Sequence, residues 1–237
     1  MGVEGGHRGR ALRLETSAVG GWNLGLLNAA VAYILGYEIG DGNLSKTSYL
    51  IRLYDSNREF VENVLAKMFR EAFNVRPSIY YDRHNNSYVL YKSSKKIWLR
   101  LRSLGVPAGK KAKTVSVPET IIDSKDEIVK REFLSGIFDA EACVTSFRQK
   151  HKHPRGYTIL ELKMSNPHLI IQISELLSSI TDIKVRTYVY NHSGILRING
   201  RRQVVKAITE LNLKHPRFTS LRAGKKHGPG SAWPWRA

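Results

Sequence analysis

Two acids, Asp41 and Glu141, have the clearest chemical potential in this sequence. Each closes one of two similar segments, Ile34–Gly42 and Leu134–Ala142, offset by 100 residues. Both segments read as the end of an apolar helix with small residues at i and i+4, Gly36/Gly40 and Gly136/Ala140. That spacing puts the small residues on one face and lets two helix backbones approach closely. A carboxylate at a helix C-terminus is electrostatically unfavourable, because that end already carries about half a negative charge. Pairing two such ends would place two carboxylates and two negative dipole ends in one small volume, a repulsion relieved by protons or cations. Oxygen ligands alone favour a hard divalent ion, Mg²⁺ (or Mn²⁺), completed by water and substrate phosphate. The chemistry expected is metal-assisted phosphodiester hydrolysis.

The rest of the chain must hold such a centre and bring it a substrate. The chain has 237 residues and a formal charge of +18, with 42% hydrophobic residues, enough for a packed core. A polyanion is the natural partner, nucleic acid before membrane or acidic protein. The charge is evenly spread: residues 1–118 and 119–237 each net +9. One Cys excludes an intramolecular disulfide framework and a Cys-based zinc site. Cys143 itself is expected to be a small buried residue. The apolar run Leu24–Tyr37 is too short to span a membrane and leads into no cleavage site, so an intracellular, cytoplasmic protein is expected.

Periodicity yields the same order of elements twice. Asn28 caps a helix ending at Gly40-Asp41-Gly42, and a strand follows at Tyr49–Tyr54 with Tyr49, Ile51 and Leu53 buried. Ser56 opens a helix, Arg76–Tyr81 and Ser87–Tyr91 form a hairpin, and Ser93-Ser94 cap a third helix. In the second half, Ser124 and Glu127 form a capping box before the acidic helix. A strand at Thr158–Met164, a helix from Pro167, a hairpin of Arg186–Tyr190 with Gly194–Asn199, and a helix from about Arg202 complete the pass. Ser56-Asn57 match Ser165-Asn166 at an offset of 109, and Val75 matches Val185 at 110. The extra residues fall in Phe147–Tyr157, read as an inserted loop. This is an internal duplication. The divisions are a basic arm (1–24), a first repeat (25–104), a linker (105–123), a second repeat (124–215) and a basic tail (216–237).

Over residues 25–215 the sequence resembles the monomeric, two-motif LAGLIDADG homing endonucleases. The resemblance is carried by Ile34-Leu35-Gly36-Tyr37-Glu38-Ile39-Gly40-Asp41-Gly42 and Leu134-Ser135-Gly136-Ile137-Phe138-Asp139-Ala140-Glu141-Ala142. Ser93-Ser94-Lys95-Lys96 and Val117-Pro118-Glu119 are similar to archaeal intron-encoded members. The resemblance implies an α+β fold of two pseudo-symmetric αββαββα repeats, with saddle-shaped antiparallel sheets on a central two-helix interface. It implies a metal set of Asp41, Glu141, Gly40 and Ala140, and cleavage of both strands of a long asymmetric DNA site to leave short 3′ overhangs. Three features depart from the family pattern. Ala142 stands where the first motif has Gly42, Ile39 replaces the inner acid kept as Asp139, and Tyr54-Asp55 and Met164-Ser165 occupy positions where members often carry Gln-Lys. Basic assistance is expected instead from the connector (Lys110, Lys111, Lys113) and from Lys214, with Lys111 and Lys214 favoured as catalytic partners.

Strand alternation nominates a DNA-binding face: Arg52, Arg76, Tyr80 and Lys92 in the first half, Lys163, Arg186, Tyr188, Arg197 and Asn199 in the second. Mixed Arg, Tyr, Asn and Lys suit base edges in the major groove. Arg148 and Lys150 of the insertion suit phosphates. Double-stranded DNA bound by a monomer is the expected partner. The alternatives are an RNA-binding intron maturase and a non-cleaving DNA-binding protein on the same scaffold.

Overall fold

A computed structural model describes residues 27–149 and 153–222, with side chains described except at 147–149, 153–156, 220 and 222. The first repeat comprises α1 (Ala29–Asp41), β1 (Gly42–Leu44), β2 (Leu50–Asp55), α2 (Arg58–Phe60), a π-helical stretch (Val61–Leu65), α3 (Ala66–Phe73), β3 (Ser78–Asp82), β4 (Ser87–Ser93) and α4 (Lys95–Ser103). The connector holds the short α5 (Glu119–Ile122). The second repeat comprises α6 (Glu127–Glu141), β5 (Cys143–Gln149), β6 (His153–Met164), α7 (Pro167–Ile180), β7 (Val185–Tyr190), β8 (Ser193–Asn199) and α8 (Arg201–Glu210); α9 (Pro216–Arg222) follows. The two antiparallel sheets have the same strand order, β1-β2-β4-β3 and β5-β6-β8-β7. The expected αββαββα duplication is thus the fold of the described residues, in the α+β class.

Asn28 caps α1, its side-chain oxygen accepting from the Val31 amide at 2.9 Å. Every residue of α1 from Ala30 to Ile39 is buried, so helix propensity matters less here than packing on all sides. The partner is α6, and glycine sets the separation. A Cβ on Gly36 would lie 2.0 Å from the Phe133 carbonyl oxygen, and one on Gly136 would lie 2.1 Å from that of Tyr33. A Cβ on Gly40 would lie 2.5 Å from that of Ala140. Contacts that advance together along both chains make the pair parallel, so both acidic ends emerge at the same pole. Gly42 and Ala142 are both extended (φ −109° and −79°), so the alanine is unstrained. Gly42 is small for a steric reason: its Cβ would sit 2.0 Å from Glu38 Oε2.

Several local expectations are corrected. Asn57, not Ser56, caps the helix after β2, its oxygen accepting from Phe60 N at 2.9 Å. Asp126 caps α6 by accepting from Ile128 N at 2.8 Å, while Ser124 Oγ accepts from Asp126 N. The Ser124/Glu127 box does not form because the nearer carboxylate takes the cap. Tyr49 lies outside β2, exposed and edge-on to Trp98. The insertion is mainly an extension of the β5–β6 ribbon, with Phe147 opposite Tyr157 and a register shift between Phe147 and Gln149. Arg148 lies on β5, and Lys150 falls outside the described residues. The first part of the basic tail is α9. Among the described residues no helix is long and apolar enough to cross a membrane.

Candidate metal and nucleic-acid site

The parallel packing of α1 and α6 decides the site, because it brings Asp41 and Glu141 to adjoining helix ends. Asp41 remains reachable by solvent although protein encloses much of its surroundings, and Glu141 is half-buried. That enclosure, together with the nearby Glu141 and Asp55 charges, pushes the Asp41 carboxyl up to about 7. Burial also raises Glu141, against the pull of Lys111 and Arg217. Two acids that oppose each other's ionisation form a donor set suited to a divalent cation, whose charge would relieve the repulsion. Among the described residues no cluster of three or more His, Cys, Asp or Glu side chains has metal-binding geometry. Remaining ligands at this pair would therefore be carbonyl, water or phosphate oxygens.

Lys111 occupies the expected neighbourhood. It is buried, and its Nζ donates to the carbonyls of Glu38 and Gly42, closing the C-terminal end of α1. It also lies 3.8 Å from Glu38 Oε1. Burial lowers the Lys111 ammonium, opposed first by Glu38 and then by Asp41 and Glu141. Glu38 is fully buried, and burial pushes its carboxyl up to about 8 against the attraction of Lys111.

Lys214 is not brought to the acid pair. Its Nζ donates to Glu132 Oε2 at 2.7 Å and to Ser135 Oγ at 3.2 Å, further back along α6. Tyr33 lies beneath the same ammonium at 4.5 Å. The cation at the end of α6 is Arg217, from α9, whose Nη2 donates to the carbonyls of Asp139 and Ala140. Ala140, included in the expected metal set, therefore already uses its carbonyl as an acceptor. Pro216 at the first helical position, with Phe218 and Leu221 three apart behind it, was the available sequence signal for this helix.

Two further acids brace the centre. Asp139 is fully buried, accepting from Tyr33 Oη at 2.9 Å and from the amides of Lys214 and His215 at 2.9–3.0 Å. Burial raises its carboxyl, and these donors hold the rise in check. Asp55, closing β2, accepts from Tyr37 Oη at 2.9 Å and Asn57 N at 2.7 Å, with His215 Nε2 3.4 Å away. Burial acts to raise Asp55, but the His215 contact and the other donors keep it below the usual carboxylate range.

A groove of about 130 Å³ opens beside Glu141, lined on one side by Gly40, Lys111 and Glu141 and on the other by Lys163, Met164 and Ser165 at the β6 end. The larger groove, about 560 Å³, contains neither acid; Arg70 and Arg76 line it beside Glu62.

Strand register tests the nominated face directly, since cross-strand partners share a side. In the second sheet Glu161, Arg197 and Arg186 are aligned, as are Lys163, Ile195 and Tyr188, with Asn199 opposite Ile159. All nominated residues of β6–β8 therefore lie on one side, opposite the buried Leu160, Leu162, Leu196 and Ile198. Arg197 is held by Glu161 (Nε–Oε2 2.7 Å) and stands 5.3 Å from the Tyr188 ring. In the first sheet Arg52, Tyr91 and Ser78 are aligned on the outer side, as are Tyr54, Val89 and Tyr80. Lys92 is a correction: it pairs with Ile51 on the core side, and its Nζ donates to the Arg76 carbonyl at 3.1 Å. Two adjacent buried residues, Val89 and Leu90, conceal that parity in the sequence. Tyr91 is the outward residue that the sequence reading missed. Cys143 is also corrected: it is exposed, opposite Glu161 on the outer side.

Comparison with known proteins adds family information to this geometry. Residues 129–212 match the LAGLIDADG-like domain family. The structure of the homing endonuclease I-DmoI in complex with DNA and Mn superposes with a TM-score of 0.55 at 18% identity, covering 80% of this chain and 99% of that one. The N-terminal LAGLIDADG domain of DUF199/WhiA gives 0.53 at 13% identity, covering 82% and 86%. Two curated proteins align with parts of the chain. The tRNA-splicing ligase RtcB of Methanopyrus kandleri is 25% identical over 177 residues, and an A-type ATP synthase subunit of Pyrococcus abyssi is 30% identical over 105. The alignments cover 68% and 44% of this chain but only 18% and 10% of those proteins. The second repeat is thus a LAGLIDADG-like domain by sequence, and the described chain has the two-motif LAGLIDADG fold seen in I-DmoI.

Proposed function

We propose that this chain is a site-specific endonuclease that hydrolyses both strands of double-stranded DNA with a divalent metal, acting as a monomer and leaving short 3′ overhangs. The observation that carries the reading is the convergence of Asp41 and Glu141 at the shared pole of two glycine-packed helices, with an outward sheet face on each repeat. In this reading Asp41 and Glu141 hold Mg²⁺ or Mn²⁺, with Gly40 and Ala140 beside them. A bound cation there supplies Lewis-acid polarisation of the scissile phosphate and acidifies an attacking water. Lys111 holds the end of α1 and places positive charge beside the groove. Arg52, Arg76, Tyr80, Lys163, Arg186, Tyr188, Arg197 and Asn199 face the bases, while Arg148 and Lys150 serve the flanking phosphates.

The similarity to I-DmoI bound to DNA and Mn supports the substrate class and the metal. The match to small parts of two proteins with unrelated activities supports a self-contained module. One observation favours a second reading, a DNA- or RNA-binding protein that does not cleave: Arg217 already occupies the Ala140 carbonyl. Incubating the chain with a plasmid library of candidate target sequences and Mg²⁺ separates the two. Linear products that vanish with EDTA are expected; retarded but uncut DNA would establish the non-cleaving reading.

A further inference from the structure

Residues 213–222 make many polar contacts that the acid pair does not need for its own packing. The Lys214 and His215 amides are fixed to Asp139 of α6, while the His215 ring crosses to the first repeat, 4.5 Å from the Phe60 ring and 3.4 Å from Asp55 Oδ1. The segment is therefore anchored on both repeats before α9 presents Arg217. The guanidinium is then fastened by main chain, through the Asp139 and Ala140 carbonyls, with its carbon 5.4 Å from the Phe218 ring.

Carbonyls hold a guanidinium without neutralising it. At the corresponding end of α1, Lys111 also caps carbonyls, but it shares its charge with Glu38. No ion pair to Arg217 occurs among the described residues, and its buried Nε has no hydrogen-bond partner. The acids whose charged form it favours include Asp41 and Glu141.

We propose that Arg217 is a fixed counterion for the Asp41–Glu141 pair. Its charge, fastened beside the two carboxylates, competes by repulsion with a divalent cation bound at them. The C-terminal strap thereby becomes part of the centre and sets its metal affinity. This rests on reading the acid pair as a divalent-metal site.

The test is Mn²⁺ binding to the DNA-free full chain, followed by the electron paramagnetic resonance signal of free Mn²⁺. Arg217→Gln keeps N–H donors for the two carbonyls and removes the charge. It should bind Mn²⁺ more tightly, on the order of tenfold, as expected when a unit charge close to a divalent ion is removed in partly solvated surroundings. Arg217→Lys keeps the charge and should stay within about threefold of wild type. A purely structural role predicts the reverse sign for Gln, because a loosened pair binds metal more weakly. Unchanged or weaker binding by Arg217→Gln, with wild type binding normally, overturns this inference alone. A Lys variant shifted by more than about fivefold also overturns it, whether or not the Gln variant folds. A wild-type chain that binds no Mn²⁺ overturns both the inference and the metal reading beneath it.

Discussion

The two motif helices end alike in backbone and differently in electrostatics. At α1, Asp41 has Asp55 nearby, Lys111 from the connector caps the helix end and lies beside Glu38, and Tyr37 is committed to Asp55. At α6, Glu141 follows Asp139, which is fully occupied by amides and Tyr33, and the cation comes from α9. Ile39 and Phe138 stand where the other helix has Asp139 and Glu38. Duplication thus fixed the parts that must coincide in space, the glycine contacts and the terminal acids. The surroundings were free to diverge, so each helix end is capped by a different cation, although Lys111 and Arg217 both act on both acids.

The sharpest way to break that comparison is to remove each acid in turn. Asp41→Asn and Glu141→Gln should each lower double-strand cleavage by about 10²–10³-fold or more, the scale for losing one transition-state stabiliser, while gel-shift affinity survives. Unequal accumulation of nicked plasmid in the two variants would reveal the asymmetry; normal linearisation by either would remove that acid from the site. The helix contact itself should be sensitive for stability. Gly36→Ala and Gly136→Ala each drive a methyl into a backbone carbonyl, so denaturation should show losses of about 1–3 kcal/mol or more, similar in both because the contact is symmetric.

The lysines should behave oppositely. Lys111→Met leaves buried Glu38 without its partner and should destabilise the fold increasingly as pH rises through about 8, where Glu38 ionises. Lys214→Met should leave the acid pair intact and cleavage within about threefold of wild type, provided the fold tolerates exposing the partly buried Glu132, since mutational effects remain local when partners are not shared. A single-turnover assay beside a urea melt distinguishes the two.

A smaller effect is expected with pH. Asp41 is raised from 3.8 to about 7 and Glu38 from 4.5 to about 8, so the folded state binds more protons than the unfolded chain within those windows. Stability of the metal-free protein should therefore fall as pH rises through them, and Mg²⁺ should offset the loss attributable to Asp41. A flat profile from about pH 4 to 8 would contradict the burial of Glu38 and the enclosure of Asp41. The smallest difference separates the sheet faces. Arg186→Ala should weaken specific DNA binding by about 1–3 kcal/mol if it reads a base, whereas Lys92→Ala, on the core side, should change it little.

Much of this centre was legible along the chain because its signals are local and repeated. Small residues four apart, a carboxylate at a helix end and strict alternation in β6 and β8 each follow from one backbone period. Lys92 was misplaced because Val89 and Leu90 are both buried, so hydrophobicity alone did not mark the parity of β4. Arg217 is not distinguished along the chain because a free basic tail and a docked helix have similar compositions; the anchoring contacts of His215 join residues 160 positions apart.

The sequence by itself therefore determined the duplication, the two glycine-faced helices, the acids that close them and the spread of positive charge. All are set by residue type at fixed spacing within a few turns or one repeat. Only the tertiary structure decided which cation serves which helix end, which side of each sheet faces outward, and how buried each acid is. Those properties depend on which distant segments share a small volume, and in such a volume desolvation and neighbouring charge, rather than residue identity, set what a carboxylate can do.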